Sequence, residues 1–407
     1  MKSCGIIAEY NPFHNGHQYQ IQEAKKLTSA EIVIVVMSGN FLQRGEPAIV
    51  DKWQRTKMAL SSGADLVIEL PAAFSVQPAD YFAKGGISLL QELRCDALSF
   101  GTESGIGEEF QLFAENWNSH EKEIDAKFKQ LKNNGETYAA QMQQAVKDSI
   151  PENKLNTMAP NTILGLAYAK ENNRYPKPMT LHPVKRVGSG YHEQVLGDTP
   201  FQSATALRKE MLEVSAASQK LTSLQTAVPA PTFDILQQSD FAYWGKFWPF
   251  LKYQLILQSE EQLREIYQMN EGIEYRLKQK VTEAETFEHF IGLVKTKRYP
   301  WVRLQRLFTY ILLQFKKTEM QEALQKPKAI RVLGFTEKGQ SYLSAVKKEV
   351  SLPIISRLNQ KNKFLWEMDI RAGRVYQLAV KKTQEEQDFN RLPVQNRGRK
   401  VPQIRGK

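Results

Sequence analysis

Along the first hundred residues, unbroken apolar runs alternate with stretches of helical period. Ile6-Ile7-Ala8 closes a short apolar strand, His17 to Leu27 carries helix formers, and Glu31 to Met37 is a β-branched run of buried-strand length. Asp51 is placed to cap a helix through Trp53, Lys57 and Leu60 that stops near Gly63. Leu66-Val67-Ile68 predicts a third strand, Ala79 to Leu90 a third helix, and Ala97-Leu98-Ser99-Phe100 a fourth strand. Strands that are apolar throughout need cover on both faces. This order therefore predicts an α/β fold with a doubly wound parallel sheet. Amphipathic helices are expected between residues 105 and 150, a further strand near Met179 to His182, and a helix from about Ser203 to Leu212.

Residues 216–231, rich in Ser, Thr, Ala and Pro, read as a linker between a domain at 1–215 and a mainly helical one at 232–407. In the second, Trp301, Leu304, Phe308, Ile311, Leu312 and Phe315 share one helical face, which predicts a buried stripe with Trp301 in the core. Ile330 to Phe335 is a strand-like interruption, and no internal repeat is evident.

Composition narrows the class. The 407 residues are 42% apolar and 10% aromatic, which excludes disorder as a description of the whole chain. The longest aliphatic run, Ile32 to Met37, is far short of the roughly 20 residues a membrane-crossing helix needs. Glu9 interrupts the first apolar stretch, so no secretory signal is expected. Cys4 and Cys95 are too few for a disulfide framework or a thiolate zinc site, and the expectation is a reduced, cytoplasmic protein. The net charge of +11 is lopsided: residues 1–215 carry −3 and residues 216–407 carry +14. A one-sided basic surface captures polyanions, and the stretch from Arg391 through Arg397, Arg399, Lys400, Arg405 and Lys407 carries no acid.

The chemistry is concentrated in Glu9-Tyr-Asn-Pro-Phe-His-Asn-Gly-His17, directly after the first predicted strand and opening the first helix. Parallel sheets place ligands at the carboxyl ends of their strands, and helix N-termini offer free N–H groups to phosphate. Gly16 lets a ligand approach the backbone. His14 and His17, protonated or neutral, can each donate a hydrogen bond to charge developing on oxygen. Zinc is the weaker reading, since a catalytic site needs a third protein ligand, and no metal site is expected. A second constellation is Ser203-Ala-Thr-Ala-Leu-Arg208. Here a Ser203 cap, Thr205 in the first turn and Arg208 a turn later could clamp a triphosphate.

His14-x-Gly16-His17 after a first strand, with Ser203-x-Thr205-x-x-Arg208 near the domain's end, resembles the His-x-Gly-His nucleotidyltransferase superfamily. That superfamily includes class I aminoacyl-tRNA synthetases and small adenylyltransferases. Ser38-Gly-Asn-Phe-Leu-Gln-Arg-Gly-Glu-Pro-Ala48, Asp65-Leu-Val-Ile-Glu-Leu-Pro71 and Lys297-Arg-Tyr299 narrow the resemblance to the bacterial tRNA(Met) cytidine acetate ligases, over essentially the whole chain. The resemblance implies a Rossmann-like nucleotidyltransferase domain followed by a mostly helical basic domain. It implies ATP-driven formation of N4-acetylcytidine at the wobble position of elongator tRNA(Met), through acetyl-adenylate, with AMP and pyrophosphate released. The synthetases' lysine-rich signature loop is absent, which argues against aminoacyl transfer.

The resemblance also implies an ATP site. Its first segment would be Ile7, Ala8, Glu9, Tyr10, Asn11, Pro12, Phe13, His14, Asn15, Gly16, His17, Gln18, Tyr19 and Gln20, joined by Gly101, Asn161 and Arg186. His14, His17 and Arg186 are the expected catalytic residues, with Ser203, Thr205 and Arg208 on the polyphosphate. Magnesium is expected to accompany ATP, without a carboxylate motif dedicated to it. Gln43 and Arg44 are candidates for the acetate or cytosine pocket. Lys295, Lys297, Arg298, Arg303 and Arg306, clustered around Tyr299 and Trp301, are expected at the surface as a track for tRNA. Two other readings stand beside this one: an adenylyltransferase acting on a small phosphorylated metabolite, and a non-catalytic RNA-binding adaptor. The +14 half argues against the first.

Overall fold

The apolar runs lie side by side in the computed structural model, which describes residues 1–131, 138–186, 201–216, 221–380, 386–389 and 391–396. Among these residues eight strands form one sheet. They are β1 (Ser3–Ala8), β2 (Ile32–Ser38), β3 (Leu66–Leu70), β4 (Ala97–Thr102), β5 (Thr180–Lys185), β6 (Ile330–Thr336), β7 (Ile354–Ile355) and β8 (Val394–Asn396). Their order is β5-β4-β1-β2-β3-β6-β7, with β8 also on β6. The first five are parallel, and β6 runs antiparallel to β3. Strand order reverses between β1 and β4, which is where a doubly wound sheet opens a crevice at its carboxyl edge.

Alternation within the β-branched runs explains the two layers of helices. Val33, Val35 and Met37 of β2 pack with Ile21 and Ala24 of the helix Asn15–Thr28 and with Met58 and Leu60 of the helix Lys52–Ser61. Ile32, Ile34 and Val36 point the other way, toward Ile87 and Leu90 of the helix Ala79–Glu92. Each such side chain contributes about 1.5–3 kcal/mol through full burial, so a strand apolar on both faces is held from both sides. Asp51 caps its helix as expected, accepting the Gln54 N–H at 2.8 Å.

The basic half does not stand apart from this sheet. Its helices Trp244–Leu257, Phe287–Val294 and Trp301–Leu312 share a core, with Trp244 stacked on Phe287 at 4.5 Å, and that core is continuous with one face of the sheet. The segment from Ile330, anticipated as a strand, is β6 and extends the sheet beyond β3. In residues 216–231, expected as a linker, Leu221, Leu224, Ala227 and Val228 are buried, while 217–220 lie outside the described residues. The shift in composition near 216 therefore marks a change of charge and not the edge of a core.

Trp301 is a correction. It is 39% exposed, whereas Leu304, Phe308, Ile311, Leu312 and Phe315 are buried as expected. Its position at the first turn of its helix carries it past the packed part of the stripe. Tyr299 goes inside instead, its hydroxyl donating to the Asn270 carbonyl at 2.5 Å.

Candidate active site

The helix Asn15–Thr28 begins with an uncommon cap. Nδ1 of His14 accepts the Gly16 N–H at 3.0 Å, and Nδ1 of His17 accepts the His14 N–H at 3.2 Å. This is a reciprocal capping box made by two imidazoles. The rings stack with centroids 3.7 Å apart, and Tyr10 closes edge-on against His17. Because both Nδ1 atoms accept, the proton of each neutral ring sits on Nε2. Burial, reinforced by the charges of Arg186 and Arg208, pushes His14 down to about 3. Burial, with His14 and Arg186 beside it, also depresses His17 far below an ordinary histidine. The alternative left open by the sequence is thereby closed: both rings are neutral at pH 7 and act as N–H donors.

Gly16 has a second purpose. A side-chain carbon there would fall 2.9 Å from His14 Cε1, so the bare position makes room for the stacked ring itself. At Gly101, by contrast, an added carbon would meet only Arg186 Cγ at 3.7 Å, an ordinary contact.

His14, Gly16, His17, Tyr19, Gln20, Gly101 and Arg186 line one open cleft of about 480 Å³, at the reversal between β1 and β4. Arg186 leaves the end of β5, tied by its N–H to the Thr102 carbonyl at 3.0 Å. Other residues of the first segment build the loop. Ile7, Tyr10, Asn11, Pro12 and Phe13 are buried, Ala8, Glu9, Asn15 and Gln18 are half-buried, and Asn15 donates its N–H to the Ala227 carbonyl at 3.1 Å.

The remaining candidates stand outside the cleft lining. Ser203 Oγ caps the helix Ala204–Ala216, accepting the Ala206 N–H at 3.0 Å. Arg208 reaches Thr205 Oγ1 at 3.5 Å, donates to the Asn11 carbonyl at 2.9 Å and pairs with Glu46 at 3.1 Å, so it straps that helix to the histidine loop. Asn161 sits in the first turn of the helix Pro160–Asn172, its amide held by Glu103 Oε1 at 2.6 Å. Although burial opposes it, hydrogen bonds from Asn161 and Thr162 hold the Glu103 carboxyl below the usual range.

Lys295, Lys297 and Arg298 are exposed as expected. Arg303 lies over the Tyr299 ring at 4.0 Å and donates to the Arg298 carbonyl at 2.7 Å. Arg306 departs from the expected surface track: it turns inward, with Nη1 3.4 Å from the Gln43 carbonyl. The cause is Gly45, whose φ of +83° seats the 43–45 loop directly on the helix backbone at Gln305 and Arg306. Arg397, Arg399, Lys400, Arg405 and Lys407 lie outside the described residues.

Two features of the site escape the sequence reading. Arg55, fully buried, donates to the carbonyls of Glu9 at 2.7 Å, Ser38 at 3.0 Å and Val50 at 3.0 Å, and also to that of Gly39. It locks the exits of β1 and β2 together. Beside it, Lys52 lies buried between Glu69 and Asp388, each at 2.7 Å. Burial opposes its charge, and the two carboxylates outweigh that and raise its proton affinity.

The HIGH Nucleotidyl Transferase family model matches residues 1–391. The tRNA(Met) cytidine acetate ligase of Levilactobacillus brevis is 42% identical over 396 residues, covering 97% of this chain and 98% of that protein. The Bacillus subtilis protein of the same name is 40% identical over 390 residues, covering 93% of each chain. Among solved structures, apo Thermotoga maritima TmcAL superposes with a TM-score of 0.89 at 28% identity, over 98% of this chain and 100% of that one. The same protein bound with alpha-thio ATP gives 0.87 at 29% identity, with the same coverage.

Proposed function

Because this chain belongs to the HIGH nucleotidyl transferase family, we propose that its cleft binds ATP and that it joins acetate to the wobble cytidine of elongator tRNA(Met). The acetate carboxylate attacks the α-phosphorus in line and pyrophosphate leaves. The cytidine N4 amine then attacks the acetyl carbonyl and releases AMP. That amine is a weak nucleophile, because its lone pair is spread into the ring, which is why the acyl group must be activated first.

The observation that carries the reading is the pair of neutral, stacked imidazoles at the β1 exit. Two Nε2–H donors, fixed in place by the helix cap, stabilise charge on the phosphate oxygens as pyrophosphate separates. Arg186 on the cleft wall supplies positive charge, while Ser203, Thr205 and Arg208, outside the cleft lining, hold their helix start against the histidine loop. Magnesium arrives with the nucleotide, held by phosphate oxygens and water; among the described residues no cluster of three or more His, Cys, Asp and Glu side chains stands ready for it. Lys295, Lys297, Arg298 and Arg303 form the surface that meets the tRNA backbone, with Arg306 behind them. Among the described residues no helix is long and apolar enough to cross a membrane, and the substrate places the work in the cytoplasm.

Incubation with ATP, labelled acetate and total tRNA, followed by nucleoside analysis, tests the reading. Labelled N4-acetylcytidine is the expected product, and pyrophosphate exchange that responds only to a phosphorylated metabolite would overturn it.

A further inference from the structure

The second step needs a proton acceptor, and the two imidazoles cannot supply one. Their Nδ1 lone pairs are taken by the N–H groups of Gly16 and His14, and Nε2 already carries the proton. As the cytidine N4 bonds to the acetyl carbon it becomes strongly acidic, and its proton must pass to a positioned base.

Most carboxylates around the strand exits are committed elsewhere. Glu46 pairs with Arg208, Glu69 closes the buried triad with Lys52, Glu103 caps the helix Pro160–Asn172, and Asp51 caps the helix Lys52–Ser61. Glu9 differs. It follows β1 directly, five residues before His14, and is half-buried. Its Oε1 accepts a hydrogen bond from the Gln43 N–H at 2.7 Å, and it forms no ion pair within 4 Å among the described residues. Its backbone carbonyl is fixed by Arg55, which also grips the β2 exit, so the carboxylate is held rigidly at the carboxyl edge of the sheet. The charged and titratable groups facing it are Glu46, Arg208, Arg44, Arg55 and Tyr168. Burial, then Glu46, raises its affinity for a proton, and this outweighs the Gln43 N–H and the two arginines.

We propose that Glu9 is the general base of acetyl transfer, an inference that rests on the ligase reading above. The N4 lone pair forms the bond to the acetyl carbon while the carbonyl π pair moves to oxygen. The Glu9 carboxylate takes the N4 proton. Collapse of the adduct breaks the bond from the acetyl carbon to the AMP phosphate oxygen, AMP leaves with that electron pair, and Glu9 returns its proton to solvent.

The test uses full-length enzyme with ATP, labelled acetate and tRNA(Met), comparing Glu9→Gln and Glu9→Asp with the unaltered chain. Two rates are read: single-turnover acetyl transfer to tRNA across pH, and acetohydroxamate formation when hydroxylamine, a nucleophile that needs no enzymic base, replaces the tRNA. Glu9→Gln should slow transfer by about 10²–10⁴-fold, the usual range for losing a general base. It should slow transfer by a larger factor than hydroxamate formation, the latter reading any part Glu9 has in the ATP segment, and remove the rise of transfer rate with pH. Glu9→Asp should recover part of the transfer. Equal losses in both reactions, or a transfer rate in Glu9→Gln that keeps its pH dependence, would overturn the assignment. Unaltered enzyme that forms no hydroxamate from acetate would fail in a different place: it removes the ligase reading, and this proposal with it.

Discussion

The backbone N–H of His14 is bonded to the side chain of His17, and the ring of His14 lies stacked on the ring of His17 at 3.7 Å. Neither residue is placed without the other. Each imidazole spends its Nδ1 on the helix start and keeps its Nε2–H for the cleft, so cap and proposed phosphate donor are one object.

Replacing His17 with alanine therefore has two effects. Acetate-dependent ATP–pyrophosphate exchange should fall by about 10²–10³-fold, as for loss of one preorganised donor. Loss of the cap should also reduce stability by about 1 kcal/mol, read from denaturant melts. Binding of tRNA, followed by filter retention, should persist.

The depressed proton affinities fix a pH dependence. An unfolded histidine takes up a proton near its ordinary value, whereas folded His14 resists until about 3. The unfolded chain thus binds more protons below the ordinary value. The stabilising contribution is whole above it and is lost as pH falls toward 3. Exchange activity should show no inflection at an ordinary histidine value. An acid limb there that disappears in His17→Ala would contradict neutral rings.

Lys297→Ala should weaken tRNA binding and flatten the plot of log affinity against log salt by about 0.7, the share of one phosphate contact on a single strand. An affinity that keeps its full salt slope would place the RNA elsewhere. Arg306, turned in against the Gln43 carbonyl, should change the slope less than Lys297 when it is replaced by alanine.

Gly45→Ala should destabilise the protein strongly. The position has φ of +83°, and the new carbon would sit 2.3 Å from the Arg306 backbone nitrogen, so helix and loop must part. A melting temperature equal to that of the parent would show that the loop does not bear on the helix.

Lys52→Met leaves Glu69 and Asp388 facing one another without the cation between them, with the buried Arg331 as the remaining positive neighbour. A cost of about 3–5 kcal/mol is expected, the usual result of removing one partner from a buried ion pair. Equilibrium unfolding in urea would measure it.

The strands β1 to β4 were legible because largely apolar runs buried on both faces leave a pattern no surface segment imitates. The histidine loop was legible because its residue types are rare and sit at a strand exit. Trp301 was misread, since periodicity gives a face but not where along a helix its packing stops. The place of β6 could not be read at all: its partner β3 lies some 260 positions earlier, and nothing in either segment specifies the other. Nothing in the local sequence singles out Arg55 and Lys52. Their burial depends on carbonyls and carboxylates brought in by distant chain, including Asp388, that local spacing does not encode.

That triad has a bearing on biosynthesis. Lys52 is made early, yet one of its two counter-ions is residue 388, and β6 must also reach β3 before the sheet is complete. A nascent chain on the ribosome therefore holds Lys52 with Glu69 alone, and a sheet without β6, until nearly the whole polypeptide has emerged. Products that stop before β6 lack both and are left open to proteases.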